Sequence, residues 1–231
     1  EEINRRIVDH ISDINLCYSE NARQYLIREG VHPGTIYVVG SPMKEVLESH
    51  KNKIGASDVL KRMNLEPGCY FTASIHREEN VESKEALSEL VRSLNAVADK
   101  YDFPIVVSTH PRTSARLREY NFRVHELVDF HKPFGYFDYI KLQKEAFCVL
   151  SDSGSILEEA SILGFPAVQV RNSSERPEGL DEGVVVLSGL RKEIILQAVE
   201  MVTKEAEAGV KIKTPRAYAR TDVSSRVVRL I

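Results

Sequence analysis

Cys148-Val149-Leu150-Ser151-Asp152-Ser153-Gly154-Ser155-Ile156-Leu157-Glu158-Glu159 is the stretch on which the fold class turns. Cys148 to Ser151 reads as a short buried strand, Ser153 to Ser155 as a small-residue turn, and residues 155–163 as a helix. A strand that runs through a tight turn into a helix is half of a crossover unit, the connection parallel strands require. The turn has chemical potential as well. Small residues at Ser153, Gly154 and Ser155 let backbone N–H groups at the helix start come close to an anion, which the helix dipole also favours. A diphosphate fits such a place, and Glu159, one turn further on, is placed to accept bonds from a ribose diol. The simpler reading is that Ser153 only caps the helix while Glu158 and Glu159 complete its first turn. On this stretch alone the two readings stand level. A nucleophilic role for Ser153 is disfavoured, because the Gly-x-Ser-x-Gly elbow is absent.

The same alternation extends in both directions. Ile3, Ile7, Val8 and Ile11 recur at helical spacing, and strand-like runs follow at 14–18 and 35–39. Between those runs lies a helix at 20–29, with Ser19 as its N-cap and Gly30 at its end. Further strands are expected at 70–74, 105–108, 124–128, 148–151, 167–170 and 184–187. Helices are expected at 83–99, 113–120, 136–146, 155–163 and 191–208. Short β-rich runs separated by amphipathic helices demand a parallel sheet covered on both faces, an α/β doubly wound domain. Its body is placed at residues 43–213. Residues 1–42 are assigned to a neighbouring domain and 214–231 to a tail with a last helix from Ser224.

Composition narrows the function classes. The 231 residues are 42% hydrophobic and 28% charged, ordinary for a globular protein with a core. No apolar run approaches the roughly 20 residues a bilayer needs. A net charge of −3, with basic residues scattered among acidic ones, argues against nucleic acid as a partner. Cys17, Cys69 and Cys148 are odd in number, far apart and set among apolar neighbours, as expected of buried thiols in a reducing, cytoplasmic compartment. Glu1 opens directly into helical sequence with neither initiator Met nor cap, so the chain reads as cut from a longer one.

Three more loops end strands. Ser74-Ile75-His76-Arg77-Glu78-Glu79-Asn80 offers a histidine that titrates near neutral pH and an arginine that grips phosphate oxygens. A solvated charged loop is the simpler account and, taken alone, the better one. A metal site on His76, Glu78 and Glu79 is disfavoured, since adjacent residues seldom converge on one ion. His110-Pro111-Arg112 ends another strand, and Arg171 to Gly179 another. In that last loop Arg176 stands between Glu175 and Glu178 and is held by Pro177. Four chemically equipped loops at strand carboxyl ends share one rim, and that convergence favours a ligand site.

Taken in order, Glu1-Glu2-Ile3-Asn4-Arg5, His76-Arg77-Glu78-Glu79-Asn80, His110-Pro111, Asp152-Ser153-Gly154-Ser155 with Glu158-Glu159, and Glu175-Arg176-Pro177-Glu178 resemble the non-hydrolysing UDP-N-acetylglucosamine 2-epimerase family over essentially the whole chain. Residues 18–30, 40–47 and 132–142 resemble most the branch that forms UDP-N-acetyl-L-fucosamine. The resemblance implies two Rossmann-like domains in the glycosyltransferase-B arrangement, with UDP on the carboxyl-terminal one, residues 43–213, and a remnant of the other in residues 1–42. It implies C2 epimerisation by elimination and re-addition of UDP through a 2-acetamidoglycal, without redox cofactor or metal. Ser153, Gly154, Ser155 and His76 would stabilise the departing diphosphate, Arg176 would assist, Glu159 would hold the ribose, and Phe134 would stand on the uracil side. Glu1 matches the first glutamate of a Glu-Glu-x-Asn-Arg motif implicated in proton handling. Phe134 and Ser155 depart from common family choices, a polar residue and a glycine. Further acids of the proton-transfer group have no counterpart here, so the chain is expected to bind UDP and hardly turn over. Many members dimerise, and the products serve capsule or O-antigen synthesis. The alternatives are a UDP-sugar glycosyltransferase of the same architecture and a non-catalytic sugar-nucleotide sensor.

Overall fold

The computed structural model describes residues 2–81 and 83–231 and divides into two units, 1–49 with 214–231 and 50–213. In the smaller unit α1 (Glu2–Ile11), β1 (Asn15–Cys17), α2 (Glu20–Arg28), β2 (Ile36–Val38) and α3 (Met43–Ser49) come from the start of the chain. β1 and β2 pair in parallel, Cys17 opposite Val38, and α2 closes a small core of Cys17, Leu26, Val31 and Ile36. Ser19 caps α2 as the sequence implies, its side chain accepting from Ala22 N. The tail returns to this same unit: Ser41 N donates to Ala217 O at 2.8 Å, and Ser224 N, opening the last helix, donates to Glu45 Oε2 at 3.0 Å.

The larger unit runs α4 (Lys51–Gly55), α5 (Val59–Arg62), β3 (Phe71–Ser74), α6 (Glu78–Val81), α7 (Lys84–Tyr101), β4 (Ile105–Ser108), α8 (Pro111–Tyr120) and β5 (Val128–His131). Then come α9 (Tyr136–Lys144), β6 (Cys148–Ser151), α10 (Ile156–Leu163), β7 (Ala167–Gln169), α11 (Pro177–Asp181), β8 (Val186–Leu187) and α12 (Lys192–Glu207); α13 (Val223–Leu230) belongs to the smaller unit. Six strands form one parallel sheet in the order β5-β4-β3-β6-β7-β8. The doubly wound α/β class read from the sequence is therefore borne out.

Because strand side chains alternate between faces, each face acquires its own cover. Phe71, Ala73, Ile105, Val107, Cys148, Leu150 and Val168 pack with Leu87, Leu90, Leu94 and Val97 of α7 and Ile195, Val199 and Val202 of α12. On the opposite face Tyr70 Oη donates to Leu142 O of α9 at 2.7 Å. At the strand starts Phe71, Tyr101, Phe103 and Phe147 form an edge-to-face cluster, with Phe71 centroids 5.3 and 5.4 Å from those of Tyr101 and Phe147.

Several local expectations need correction. The strand placed at 124–128 lies at Val128–His131. His125 causes the shift: its Nδ1 accepts from Leu127 N and its carbonyl from Val128 N, so a turn occupies the expected strand start. Short helices α3, α4, α5, α6 and α11 were not expected; each has ten residues or fewer, too few for a periodic signal to stand out. Cys69 is exposed in the turn before β3, unlike the buried Cys17 and Cys148, because Glu66 to Cys69 forms a tight turn. No helix among the described residues is long and apolar enough to cross a membrane.

Candidate active site

The chain leaves β3 toward one edge of the sheet, through β4 and β5, then returns to add β6 on the other side of β3. Between the carboxyl ends of β3 and β6 the strand order reverses, and such a point opens a crevice. The His76 loop follows β3 and the Ser153 turn follows β6, so these two stretches, far apart in sequence, flank it. The loops after β4 and β7, carrying His110 and Arg176, stand on the same edge, as expected of parallel strands.

Asp152 joins the two central loops. Its fully buried carboxylate accepts from His76 N at 3.0 Å, Arg77 N at 2.9 Å and Asn80 Nδ2 at 3.0 Å, and lies 3.3 Å from His76 Nδ1. Charge-assisted bonds to several donors compensate the burial of this carboxylate. They also fold the β3–α6 loop so that the half-exposed His76 ring stands beside the turn. Asp152 went unassigned in the sequence, and its partners lie some 75 positions away.

In the turn itself, Ser153 Oγ accepts from Ser155 N at 3.3 Å and lies 2.9 Å from Ser155 Oγ. Ser153 thus shapes the turn, with Ser155 the N-cap residue of α10. A Cβ on Gly154 would come within 3.2 Å of Arg176 Nε, so the glycine gives the guanidinium room to lie across the turn. Arg176 forms an ion pair with the buried Glu158. Of the two acids beside Arg176 in sequence, Glu175 pairs with Arg171 at 3.0 Å and Arg77 at 3.5 Å. Burial alone would raise the Glu175 carboxyl, but Arg171 and Arg77 hold it below the usual range. α11 reaches α10 closely only because residue 179 is glycine: a Cβ there would lie 2.3 Å from Leu157 Cδ2.

Glu159 is buried in α10, where it accepts from Gln143 Nε2 of α9 at 2.7 Å. Burial pushes its carboxyl above the ordinary range, while bonds from Gln143 and Ser155 pull the other way. Phe134, after β5, stacks on His131 with centroids 4.3 Å apart and planes 10° from parallel. His131 was missed because its value lies in that stack, which sequence spacing does not show. His110 caps α8, its Nδ1 accepting from Arg112 N at 3.3 Å. Ser153, Gly154, Ser155, Glu159, His76, Arg176 and Phe134 thus all lie in the larger unit. Glu1 lies outside the described residues.

Comparison with known proteins adds a decisive observation. The family model for UDP-N-acetylglucosamine 2-epimerase matches residues 1–231. The chain belongs to that family.

Within it, the chain is 33% identical over 238 residues to the UDP-N-acetylglucosamine 2-epimerase of Methanocaldococcus jannaschii, covering 100% of this chain and 64% of that protein. The crystal structure of that protein in complex with UDP-GlcNAc and UDP superposes with a TM-score of 0.89 at 33% identity, over 100% of this chain and 64% of that one. The structure of UDP-N-acetylglucosamine 2-epimerase from Rickettsia bellii gives 0.88 at 41% identity, over 99% of this chain and 62% of that one. This epimerase-family chain therefore spans somewhat under two thirds of the length of these relatives.

Proposed function

We propose that this chain is the nucleotide-holding part of a two-domain enzyme of glycosyltransferase-B type that inverts C2 of a UDP-N-acetylamino sugar, either UDP-GlcNAc and its manno epimer or the 6-deoxy sugar of the fucosamine branch. The observation that carries the reading is the Ser153–Ser155 turn at the sheet's reversal point, flanked by His76, Arg176 and buried Glu159, in a family whose M. jannaschii member was solved with UDP-GlcNAc and UDP. The larger unit, residues 50–213, would be the UDP-binding domain, and the smaller unit, 1–49 with 214–231, would belong to the partner domain.

Elimination leaves negative charge on the departing diphosphate. Donors fixed in place before the reaction stabilise that charge without reorganising. The N-terminal turn of α10, His76 and Arg176 are such donors, the last two held by Asp152 and Glu158 respectively. Glu159 holds the ribose, and the Phe134–His131 stack faces the base. Loss of UDP with the C2 proton gives a 2-acetamidoglycal; re-protonation on the opposite face and re-addition of UDP complete the inversion. Glu1 takes part in proton handling, in the cytoplasm.

Calorimetric titration with UDP tests the nucleotide site. Wild type should bind, and Glu159→Ala should bind about tenfold more weakly, the cost of one hydrogen bond to a charged group. No binding at millimolar UDP would overturn the assignment of the α10 turn. For the chemistry, full-length enzyme turning over UDP-GlcNAc in D2O should place deuterium at C2; an unlabelled C2 with acceptor-dependent product would favour a glycosyltransferase.

A further inference from the structure

Gln143 is a costly residue for its place. It ends α9 facing α10, 1% exposed, and a buried amide costs free energy unless its polar atoms are bonded. Its Oε1 has no well-aligned hydrogen-bond partner. The amide's short bond is from Nε2 to Glu159 Oε2 at 2.7 Å, with the Tyr139 phenol as its other polar neighbour. Packing alone would favour an apolar side chain of the same shape here.

The chemistry of that bond indicates its use. A carboxylate has about four lone-pair positions. On Glu159 one is taken by Gln143 and one by Ser155, which leaves two, the number a vicinal diol requires. An arginine or lysine in place of Gln143 would form an ion pair and neutralise the acceptor. A neutral amide fixes the carboxylate's rotation and leaves its charge available. The Tyr139 phenol on the same helix is buried beside this pair, and burial together with the Glu159 charge pushes it up.

We propose that Gln143 is a positioning residue that turns the Glu159 carboxylate toward a ribose diol and thereby sets the preference of this site for UDP over 2′-deoxy-UDP. The inference rests on Glu159 being the ribose ligand. UDP and 2′-deoxy-UDP differ by one hydroxyl, so a general loss of structure would weaken both alike, whereas lost positioning lowers the ratio between them. Calorimetry with both nucleotides should show wild type preferring UDP by about tenfold, the value of one charge-assisted hydrogen bond. Glu159→Ala should abolish the preference. Gln143→Met should cut it to about threefold or less with the thermal melt retained, and the double variant should match Glu159→Ala alone, since the two residues act as one unit. Gln143→Leu serves the same comparison if methionine disturbs the fold. Full preference in a folded Gln143 variant, with the preference lost in Glu159→Ala, would overturn the role of Gln143 alone. Preference kept in Glu159→Ala would overturn the ribose assignment and the inference with it.

Discussion

Helices α1 and α10 both carry apolar residues at helical spacing, yet meet opposite environments. Ile3, Ile7 and Ile11 of α1 are 75%, 54% and 76% exposed, and none of its residues is buried. In α10 Ile156 and Leu157 are fully buried, and so nearly are Glu158 and Glu159, at 2% and 7%. Exposed isoleucines and buried carboxylates both depart from the usual sorting by polarity. The difference teaches that periodicity marks a face and the neighbouring elements decide its burial. For α10, packed against the sheet and approached closely by α11 at Gly179, the neighbours are so complete that even its acids must find partners inside, Arg176 for Glu158 and Gln143 for Glu159.

Three changes sharpen or break that contrast. The largest effect should come from the aromatic cluster beneath α10's sheet: Phe71→Ala, removing a fully buried ring, should destabilise the larger unit by roughly 3–5 kcal/mol, read from denaturant midpoints. A loss near 1 kcal/mol would mean the cluster is far looser than its geometry.

Next comes Glu159→Gln. The folded carboxyl titrates above its unfolded value, so folding is penalised while the group is ionised, and the penalty fades as pH falls through the raised value. The glutamine variant should therefore gain on the order of 1 kcal/mol at neutral pH, with the gain vanishing in acid, while losing UDP affinity. Equal stability of variant and wild type at neutral pH would show that Gln143 and Ser155 fully compensate the buried charge.

The smallest effect is expected at α1, where Ile7→Ser should change the stability of this chain by less than about 0.5 kcal/mol. A larger loss would show that α1's apolar face is covered in solution.

Much of the fold was legible because it rests on local rules. Strand β4 falls at the expected 105–108 and β6 at 148–151, since both are short apolar runs ending at a serine. The misplaced β5 shows the limit: residues 124–128 look extended, but the bonds of His125 to its own neighbours and to Asn95 make a turn there. At the site, Ser153, Gly154, Ser155, Glu159, His76 and Arg176 could be picked out because each belongs to a short motif at a strand's carboxyl end. Asp152, Glu158, His131 and Gln143 could not be given roles, because what matters about them is a partner elsewhere in the chain or a ring stacked on a neighbour.

By itself, then, the sequence determined the order of elements, the parallel sheet and the common rim of four loops, all consequences of hydrophobic period, turn chemistry and the crossover that parallel strands demand. Only the tertiary structure decided which charges meet across that rim, since burial and hydrogen-bond partners are properties of contacts between distant segments: Asp152 with the His76 loop, Glu158 with Arg176, and Glu159 with Gln143.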